Sequence, residues 1–153
     1  MSTLHGSLSS AGRQRGATLS ELQRLLAETD IPLFAALSGR HLRRVARLAE
    51  LKRYLGDVTV VRAGAVGDAL HVIGDGTAEV RGPDGATGTL QAGDYFGELS
   101  LLDGAPRTAT VVSQGELTTV RIGGAAFRKL LRDEPVIAVG LLPGLVGIVR
   151  LLQ

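Results

Sequence analysis

Residues 57–122 constrain the fold most, because short runs rich in β-branched residues alternate there with glycine-containing turns. The runs lie at residues 58–61, 70–73, 78–81, 110–112 and 117–122. After the third run, residues 82–85 read Gly-Pro-Asp-Gly, which is a strong turn signal. Short strands at such close spacing predict a closed or double-layered antiparallel sheet.

Helical spacing precedes this β-rich region. Thr18 or Ser20 can cap a first helix, and residues 30–32, Asp-Ile-Pro, end it. The apolar side of that helix carries Leu19, Leu22, Leu25 and Leu26. A second helix begins near Ser38. One of its faces carries Arg40, Arg43, Arg44 and Arg47. These arginines predict a solvated face, and the alternative is a partner surface or a nucleic-acid patch.

Helical spacing returns after the sheet. One helical face there consists of Ala126, Phe127, Leu130 and Leu131. The final apolar segment, residues 135–153, is interrupted by Gly140, Pro143, Gly144 and Gly147. A proline inside a helix costs about 3 kcal/mol, and each glycine costs about 1 kcal/mol relative to alanine. We therefore expect a short turn, a break near Leu142 and a second helix with Pro143 in its first turn.

Composition limits the class of protein. The chain has no cysteine, which excludes disulfides and thiolate metal sites. This suits a reducing cytoplasm, so we expect a cytoplasmic location. A net charge of +2 is weak evidence for nucleic-acid binding. The most apolar stretch, residues 135–149, is shorter than the roughly 20 residues of a membrane span, so no span is expected. Residues 1–17 predict a flexible N-terminal arm, and residues 18–153 predict one domain.

The segment most informative about function is residues 96–111, FGELSLLDGAPRTATV. It resembles the phosphate-binding cassette of the cyclic-nucleotide-binding domain family, which includes catabolite-activator-like regulators, protein kinase regulatory subunits and cyclic-nucleotide-gated channels. The resemblance extends over nearly all of the chain from Leu33 onward, with glycine-rich turns at residues 63–70 and at Gly76. It implies a mainly β fold with flanking helices. The expected architecture is a double-stranded β-helix, a jelly-roll-like barrel, with N-terminal helices and a C-terminal helical segment.

The chemistry of the ligand explains why these residue types are needed. A 3′,5′-cyclic nucleotide carries one charged phosphodiester and one free ribose hydroxyl, the 2′-OH. Arg107 can donate two parallel hydrogen bonds to the phosphate oxygens. Gly97 allows close approach of the backbone, and Glu98 can begin a short helix whose first N–H groups face an anion. The carboxylate of Glu98 then accepts from the 2′-OH. The alternative is that Glu98 and Arg107 pair with each other as a salt bridge on a loop.

The resemblance assigns these same roles to Glu98 and Arg107, and it assigns phosphate contacts to backbone donors near Ser100 and Thr108. The predicted ligand-binding residues are Phe96, Gly97, Glu98, Leu99, Ser100, Pro106, Arg107, Thr108 and Ala109. The alternative for Ser100 is a helix-turn role. The hydroxyl of Thr108 can bond the exocyclic amine of a syn guanine, and the alternative is that Thr108 caps a strand. We expect cAMP as the favoured ligand and cGMP as the alternative.

Catalysis finds little support in the sequence. His5, His41 and His71 do not cluster, and no Ser-His-Asp or Cys-His arrangement can be identified. His71 lies within a strand pattern, which predicts a packed or barrel-lining residue. We therefore expect a binding protein that is not an enzyme and has no metal site. The alternative, a metal-dependent cupin-like enzyme, would share the barrel shape, and stoichiometric metal would support it.

The predicted function is that of a stand-alone sensor. In the family, a helix after the barrel closes over the base and often pairs two protomers, and here that segment is residues 135–153. We expect its partner to be an unidentified protein effector or a second copy of the chain. No helix-turn-helix pattern follows, so we expect no DNA-binding domain in this chain. The alternative function is a nucleotide-free barrel that acts as a protein-interaction module through its apolar C-terminal segment.

Overall fold

Three short helical elements open the fold. The computed structural model describes residues 18–65, 68–104 and 109–151, so the predicted arm, residues 1–17, lies outside the described residues. Helix α1 (Leu19–Glu28) is followed by a 3-10 helix (Pro32–Phe34) and by helix α2 (Gly39–Ala46). The two α-helices confirm the helices that the sequence predicts before the sheet.

Both N-terminal helices begin at predicted caps. The Oγ1 of Thr18 accepts a hydrogen bond from the N–H of Glu21 at 3.1 Å, and the Glu21 carboxylate accepts from the N–H of Thr18 at 3.0 Å. This reciprocal pair is a capping box. The Oγ of Ser38 accepts from the N–H of His41 at 3.2 Å and starts α2. The arginines of α2 are exposed, as a solvated face requires, and Arg44 forms an ion pair with Glu134.

In the described residues, six strands form the middle of the chain, one short helix lies between the last two strands, and two helices follow the sheet. The strands are β1 (Ala49–Tyr54), β2 (Thr59–Val61), β3 (Ala69–Arg81), β4 (Thr87–Gln91), β5 (Tyr95–Phe96) and β6 (Thr110–Gly123). The remaining helices are α3 (Ser100–Asp103), α4 (Gly124–Asp133) and α5 (Pro135–Leu151). All strand pairs are antiparallel, in the order β1-β6-β3-β4, and β2 also pairs with β6 while β5 pairs with β3. The mainly β fold with flanking helices is therefore confirmed.

The two longest strands differ from the sequence prediction. The predicted runs at 70–73 and 78–81 belong to one strand, β3, and the runs at 110–112 and 117–122 belong to β6. The glycines between the runs form irregularities in the ladder instead of chain-reversing turns, because the register shifts between Ile73 and Thr77. Gly76 has φ +92°, and a Cβ there would lie 2.3 Å from the carbonyl oxygen of Glu116. Strands β3 and β6 can therefore approach each other this closely only because residue 76 has no side chain.

Two apolar clusters hold the fold together. The larger one lies between the sheet and the helices, and its fully buried members include Leu33, Val45 and Phe127. The smaller one is formed by buried residues Ile73, Ala78, Val111 and Leu117, with Phe96 and other half-buried side chains packed against it. Successive side chains along a strand point to opposite faces of the sheet, so β3 and β6 contribute residues to both clusters.

The C-terminal segment contradicts the predicted break near Leu142. Residues Pro135–Leu151 form one continuous helix, α5, with Pro143 inside it. Its buried face consists of Ile137, Leu141, Gly144 and Ile148, at a helical spacing. Tertiary packing of this face overrides the weak intrinsic helix propensity of the glycines and the proline. Within residues 18–65, 68–104 and 109–151, no helix combines the length and apolar character that crossing a membrane requires.

Gly144 allows α5 to lie against the 3-10 helix. A Cβ at this position would lie 2.3 Å from the carbonyl oxygen of Pro32 and 2.8 Å from that of Leu33. Backbone atoms cannot move aside as a flexible side chain can, so only glycine fits. By contrast, a Cβ on Gly147, one turn further along α5, would meet no atom within 4 Å.

We expect Gly144→Ala to lower the free energy of unfolding by about 1–3 kcal/mol, because the added methyl group forces α5 away from the 3-10 helix. The matched control, Gly147→Ala, adds the same group on the open side of the same helix and should raise stability by up to about 1 kcal/mol. Urea denaturation of both variants measures the difference. Two variants that stabilise equally would show that α5 does not pack as described.

Candidate functional site

The predicted cassette starts at the end of β5, on the interior side of the sheet. Phe96 pairs with His71 of β3, and their rings stack with centroids 4.9 Å apart and planes inclined by 7°. His71 is buried, and its Nδ1 lies 3.3 Å from the Oγ1 of Thr119 on β6. The prediction that His71 is a packed residue is therefore confirmed. The stack ties the first cassette residue to the central strands.

Gly97 turns the chain from β5 into the short helix α3. Its φ of +86° lies in the left-handed region, which favours glycine. Its carbonyl oxygen accepts from the N–H of Ser100 at 3.1 Å and from the Ser100 hydroxyl at 2.8 Å. Gly104, with φ +64°, ends the helix by donating its N–H to the carbonyl oxygen of Ser100 at 3.0 Å. Ser100 thus has the helix-turn role weighed as the alternative, and its phosphate contact stays a prediction.

Glu98 is the polar residue of the cassette whose environment is most unusual. Its side chain is half-buried, and its Oε2 is fully buried. No group in the described part of the chain donates a hydrogen bond to that oxygen. Burial raises the pKa of the Glu98 carboxyl above its usual value. A buried acceptor without a donor costs about 1–3 kcal/mol, so this oxygen is suited to a donor supplied from outside.

Other predicted site residues are less informative. Leu99 is exposed and directly precedes α3, and Ala109 is half-buried directly before β6. Pro106, Arg107 and Thr108 lie outside the described residues. Their assignment to the phosphate and the base, and the alternative salt bridge between Glu98 and Arg107, therefore stay predictions.

The start of the cassette adjoins both apolar surface and carboxylates. Phe96 packs against the smaller apolar cluster, as do the half-buried side chains of Val80 and Leu90. Such surface is suited to a flat, weakly polar group such as a nucleobase. At the neighbouring Tyr95, burial together with the carboxylates of Glu98, Asp30 and Asp94 raises the pKa of the phenol. An anionic ligand therefore needs a cation of its own next to these carboxylates.

Sequence reasoning missed two charged residues behind the cassette. The guanidinium of Arg128 on α4 donates both Nη1 and Nη2 to the Asp68 carboxylate, each at 2.9 Å. Nη1 also donates to the carbonyl oxygen of Leu101 in α3 at 3.0 Å. The partners Asp68 and Arg128 are 60 positions apart, so no local pattern indicates the pair. Across residues 18–65, 68–104 and 109–151, no cluster of three or more His, Cys, Asp or Glu side chains could hold a metal ion.

Sequence comparison agrees with this geometry. The sequence model of the cyclic nucleotide-binding domain matches residues 51–134. A cAMP-dependent protein kinase regulatory subunit of Mycosarcoma maydis is 39% identical over 111 residues, and one of Aspergillus fumigatus is 33% identical over 104. Each alignment covers 67% of this chain, but only 21% of the first relative and 25% of the second. The chain thus spans about a quarter of the length of these relatives, which are regulatory subunits.

Structural comparison adds two solved domains. The regulatory domain of Toxoplasma gondii PKA, crystallised with cAMP, has a TM-score of 0.63 at 25% identity, over 74% of this chain and 45% of that chain. The N-terminal domain of a transcriptional regulator from Streptomyces coelicolor A3(2) has a TM-score of 0.70 at 27% identity. That match covers 82% of this chain and 94% of the other. The predicted jelly-roll-like architecture is consistent with both neighbours. The chain belongs to the cyclic nucleotide-binding domain family.

Proposed function

We propose that this chain binds a 3′,5′-cyclic nucleotide through residues 96–109 and acts as a regulatory module without catalysis. The favoured ligand is cAMP, and cGMP is the alternative. The observation that carries this proposal is the buried Oε2 of Glu98, which lacks a donor among the described residues. The names of the relatives support cAMP, since they are cAMP-dependent kinase subunits, and the Toxoplasma domain was crystallised with cAMP.

The 2′-OH of the ribose is the donor that Glu98 requires. A hydroxyl that donates to a buried carboxylate makes a charge-assisted hydrogen bond, which contributes about 1.5–3 kcal/mol. The bond also removes the cost of the unsatisfied oxygen, so the gain on binding is larger than for an exposed acceptor. A nucleotide that lacks this hydroxyl leaves the oxygen unsatisfied and gains neither contribution.

The phosphate requires a cation, and the sequence supplies Arg107. This residue lies in the connection between α3, which ends at Asp103, and β6, which starts at Thr110. The ligand thus draws together both halves of the cassette, with its ribose at Glu98 and its phosphate at Arg107. Since binding favours one arrangement of the cassette over others, it can shift the population of conformations that the C-terminal helices adopt.

We expect 2′-deoxy-cAMP to bind the wild-type chain about 10–100-fold more weakly than cAMP, because the deoxy ligand cannot donate to Glu98. In Glu98→Ala the two ligands should bind with nearly equal affinity. Arg107→Ala is the matched control, since it should weaken both ligands while leaving their ratio unchanged. Isothermal titration of the three proteins with both ligands measures this thermodynamic cycle, and titration with cGMP ranks the bases.

Three outcomes would contradict the proposal in different ways. No heat with any nucleotide, together with no thermal shift, would mean that the cassette no longer binds its ligand. An unchanged affinity in Arg107→Ala would remove that residue from the phosphate site. If Glu98→Ala still bound cAMP more tightly than 2′-deoxy-cAMP by the wild-type ratio, the ribose hydroxyl would contact a residue other than Glu98.

The raised pKa of Glu98 gives a prediction for stability. The folded state holds this proton more tightly than the unfolded chain, so ionisation of Glu98 destabilises the fold as pH rises above the ordinary value of 4.5. We expect Glu98→Gln to raise the melting temperature at neutral pH, and its advantage to disappear as pH falls below about 4.5. As pH decreases, nucleotide affinity of the wild type should already fall at pH values above 4.5, because the folded protein protonates Glu98 at its raised pKa and the protonated carboxyl is a weaker acceptor.

The control for this experiment is Glu50→Gln, which removes an exposed carboxylate whose ion pair with Arg121 spans 3.2 Å. A surface pair of this kind contributes little, so the control should shift the melting temperature only slightly. Thermal denaturation of the ligand-free proteins across pH measures both. A stabilisation by Glu98→Gln that is independent of pH would show that the carboxylate charge is not its cause.

A second candidate function rests on α5. The outer face of α5, defined as Val136, Val139, Leu142 and Val146, is apolar and half or more exposed. Apolar surface of this kind marks contacts with other molecules. We place that contact with a protein effector or a second copy of the chain, in the cytoplasm, where a chain without cysteine is chemically suited.

We expect the wild-type chain to sediment as a dimer at high concentration and Val139→Glu to remain monomeric, because a charge at the centre of the outer face disrupts apolar packing. Leu55→Glu is the matched control, since Leu55 is 66% exposed but lies away from α5, between β1 and β2. Sedimentation velocity over a concentration series distinguishes the three. A wild type that stays monomeric throughout would exclude the second copy as the partner.

A further inference from the structure

Helix α2 presents a row of arginines on the side opposite its buried residues. All four are exposed, and together they form what we call the arginine face: Arg40, Arg43, Arg44 and Arg47. The other side of α2 carries Leu42, Val45 and Ala46, which are buried in the larger apolar cluster. Because this buried side fixes the rotation of α2, the arginines project from the surface of the molecule.

The arginine face lowers the stability of the fold as long as no anion covers it. Each of its members lies three or four positions from another, and like charges at this spacing in a helix repel. Arg40 also lies in the first turn of α2, where the helix dipole disfavours a cation and no acidic residue offsets it. Within the described residues, only the guanidinium of Arg44 forms an ion pair, with Glu134. A local feature that costs stability and is not offset by packing is expected at a functional surface.

The basic residues of the chain are largely separated from the acidic ones. Residues 57–122 contain nine acidic and four basic residues, whereas the rest of the chain contains six acidic and thirteen basic residues. The net charge of +2 therefore combines a negative sheet region with positive regions before and after it. The arginine face lies in the positive part. A division of charge of this kind favours one orientation of the protein at an extended anionic surface.

The structure favours a lipid surface over the other anionic partners. Single-stranded nucleic acid binds by stacking on exposed aromatic rings, but the phenylalanine and tyrosine side chains all lie in the described residues and none is exposed. An acidic peptide is usually held in a groove or at a strand edge, whereas the arginine face lies along the outside of a helix. A bilayer requires neither ring nor groove, because its anionic headgroups are mobile and can gather under a protruding row of cations.

We propose that the arginine face binds the anionic lipid surface of a membrane through reversible electrostatic contact. The row from Arg40 to Arg47 is about 11 Å long at the helical rise per residue, so its guanidiniums can contact one patch of headgroups. Clusters of four or more basic residues on an amphipathic helix are typical of binding to phosphatidylserine-containing leaflets. The contact does not involve the cassette, so it goes beyond nucleotide binding and does not depend on it.

The test uses the full-length, ligand-free chain and vesicles of phosphatidylcholine with or without phosphatidylserine. The test variant is Arg40→Gln/Arg43→Gln/Arg47→Gln, in which glutamine keeps the helix propensity of arginine. The matched control removes the same number of positive charges from exposed positions in or beside the strands: Lys52→Gln/Arg62→Gln/Arg81→Gln. Cosedimentation at increasing lipid concentration measures the affinity of each protein.

We expect the wild type to bind only the vesicles that contain phosphatidylserine and to be released at high salt, because the contact is electrostatic. The glutamine variant of the arginine face should bind about 10–100-fold more weakly, and the control should stay within about threefold of the wild type. Arg40→Lys/Arg43→Lys/Arg47→Lys should also stay within about threefold, because a bilayer attracts the charge and does not require the planar fork. The glutamine variant should melt no lower than the wild type, since it removes repulsion.

Equal vesicle binding by the wild type and the glutamine variant, or an equal loss in the control, would overturn the role of the arginine face. A lysine variant that binds as weakly as the glutamine variant would overturn the bilayer as partner, because it would indicate a site that requires the guanidinium. Duplex DNA of random sequence and polyglutamate are compared at the same charge concentration. Binding to either that is as tight as to vesicles and lost in the glutamine variant would assign the face to that partner instead.

The result is separable from the proposed nucleotide binding. Vesicle binding by a chain that does not bind cAMP would contradict the proposed function alone. A chain that binds cAMP but no vesicles would overturn the lipid contact alone.

Discussion

The pairing of β3 with β6 is the interaction on which the other parts of the molecule depend. Strands β4 and β5 pair with β3, and strands β1 and β2 pair with β6, so each of the other strands adjoins one of these two. The contacts are long-range: His71 and Thr119 are 48 positions apart. The cassette lies between β5 and β6, so the positions of its two ends are set by this ladder. Its described part continues from β5 into α3, which places Glu98 directly beside the central strands.

Local chemistry made much of the fold predictable from the sequence. The caps at Thr18 and Ser38 and the apolar spacing of the first helix depend on residues within one or two turns, and these predictions were confirmed. The predicted apolar face of the helix after the sheet was wrong at Ala126, which is exposed, whereas Phe127 and Leu130 are buried. The cassette was recognisable for the same reason, because its pattern is contiguous. The glycines could not be assigned from the sequence, because a positive φ occurs both in chain-reversing turns and in bulges within a strand. At Gly76, the pairing with β6 determines that the residue lies within a strand. The stack of Phe96 on His71 and the bond from Arg128 to Asp68 join distant residues, and no single stretch of sequence contains that information.

Helix α5 shows how tertiary packing overrides local preference. Three glycines and a proline within this segment predicted a break, yet the chain remains helical. It does so because Gly144 allows close contact with the 3-10 helix and because Ile137, Leu141 and Ile148 bury an apolar face. Gly144 therefore weakens α5 as an isolated helix but allows its contact with the 3-10 helix. Glu98 has no such compensation within the described residues, because its buried Oε2 lacks a donor. A local feature that costs stability and is not offset by packing is expected at a functional site. Glu98 is such a feature, whereas the cost of Gly144 is offset by its contact with the 3-10 helix.

Ligand binding at the cassette could change the conformation of the C-terminal helices. A ligand shifts a conformational equilibrium only by the difference in its affinity for the two conformations. A group that contacts the ligand differently in the two conformations must therefore lie in the binding site. Under the proposed function Glu98 is such a group, because its buried Oε2 lacks a donor among the described residues. In the described residues of α4 and α5, no buried side-chain nitrogen or oxygen lacks a hydrogen-bond partner. In addition, α5 carries no charged residue between Val136 and Val149. The free energy that moves the C-terminal helices would therefore arise at the cassette and reach them through packed contacts.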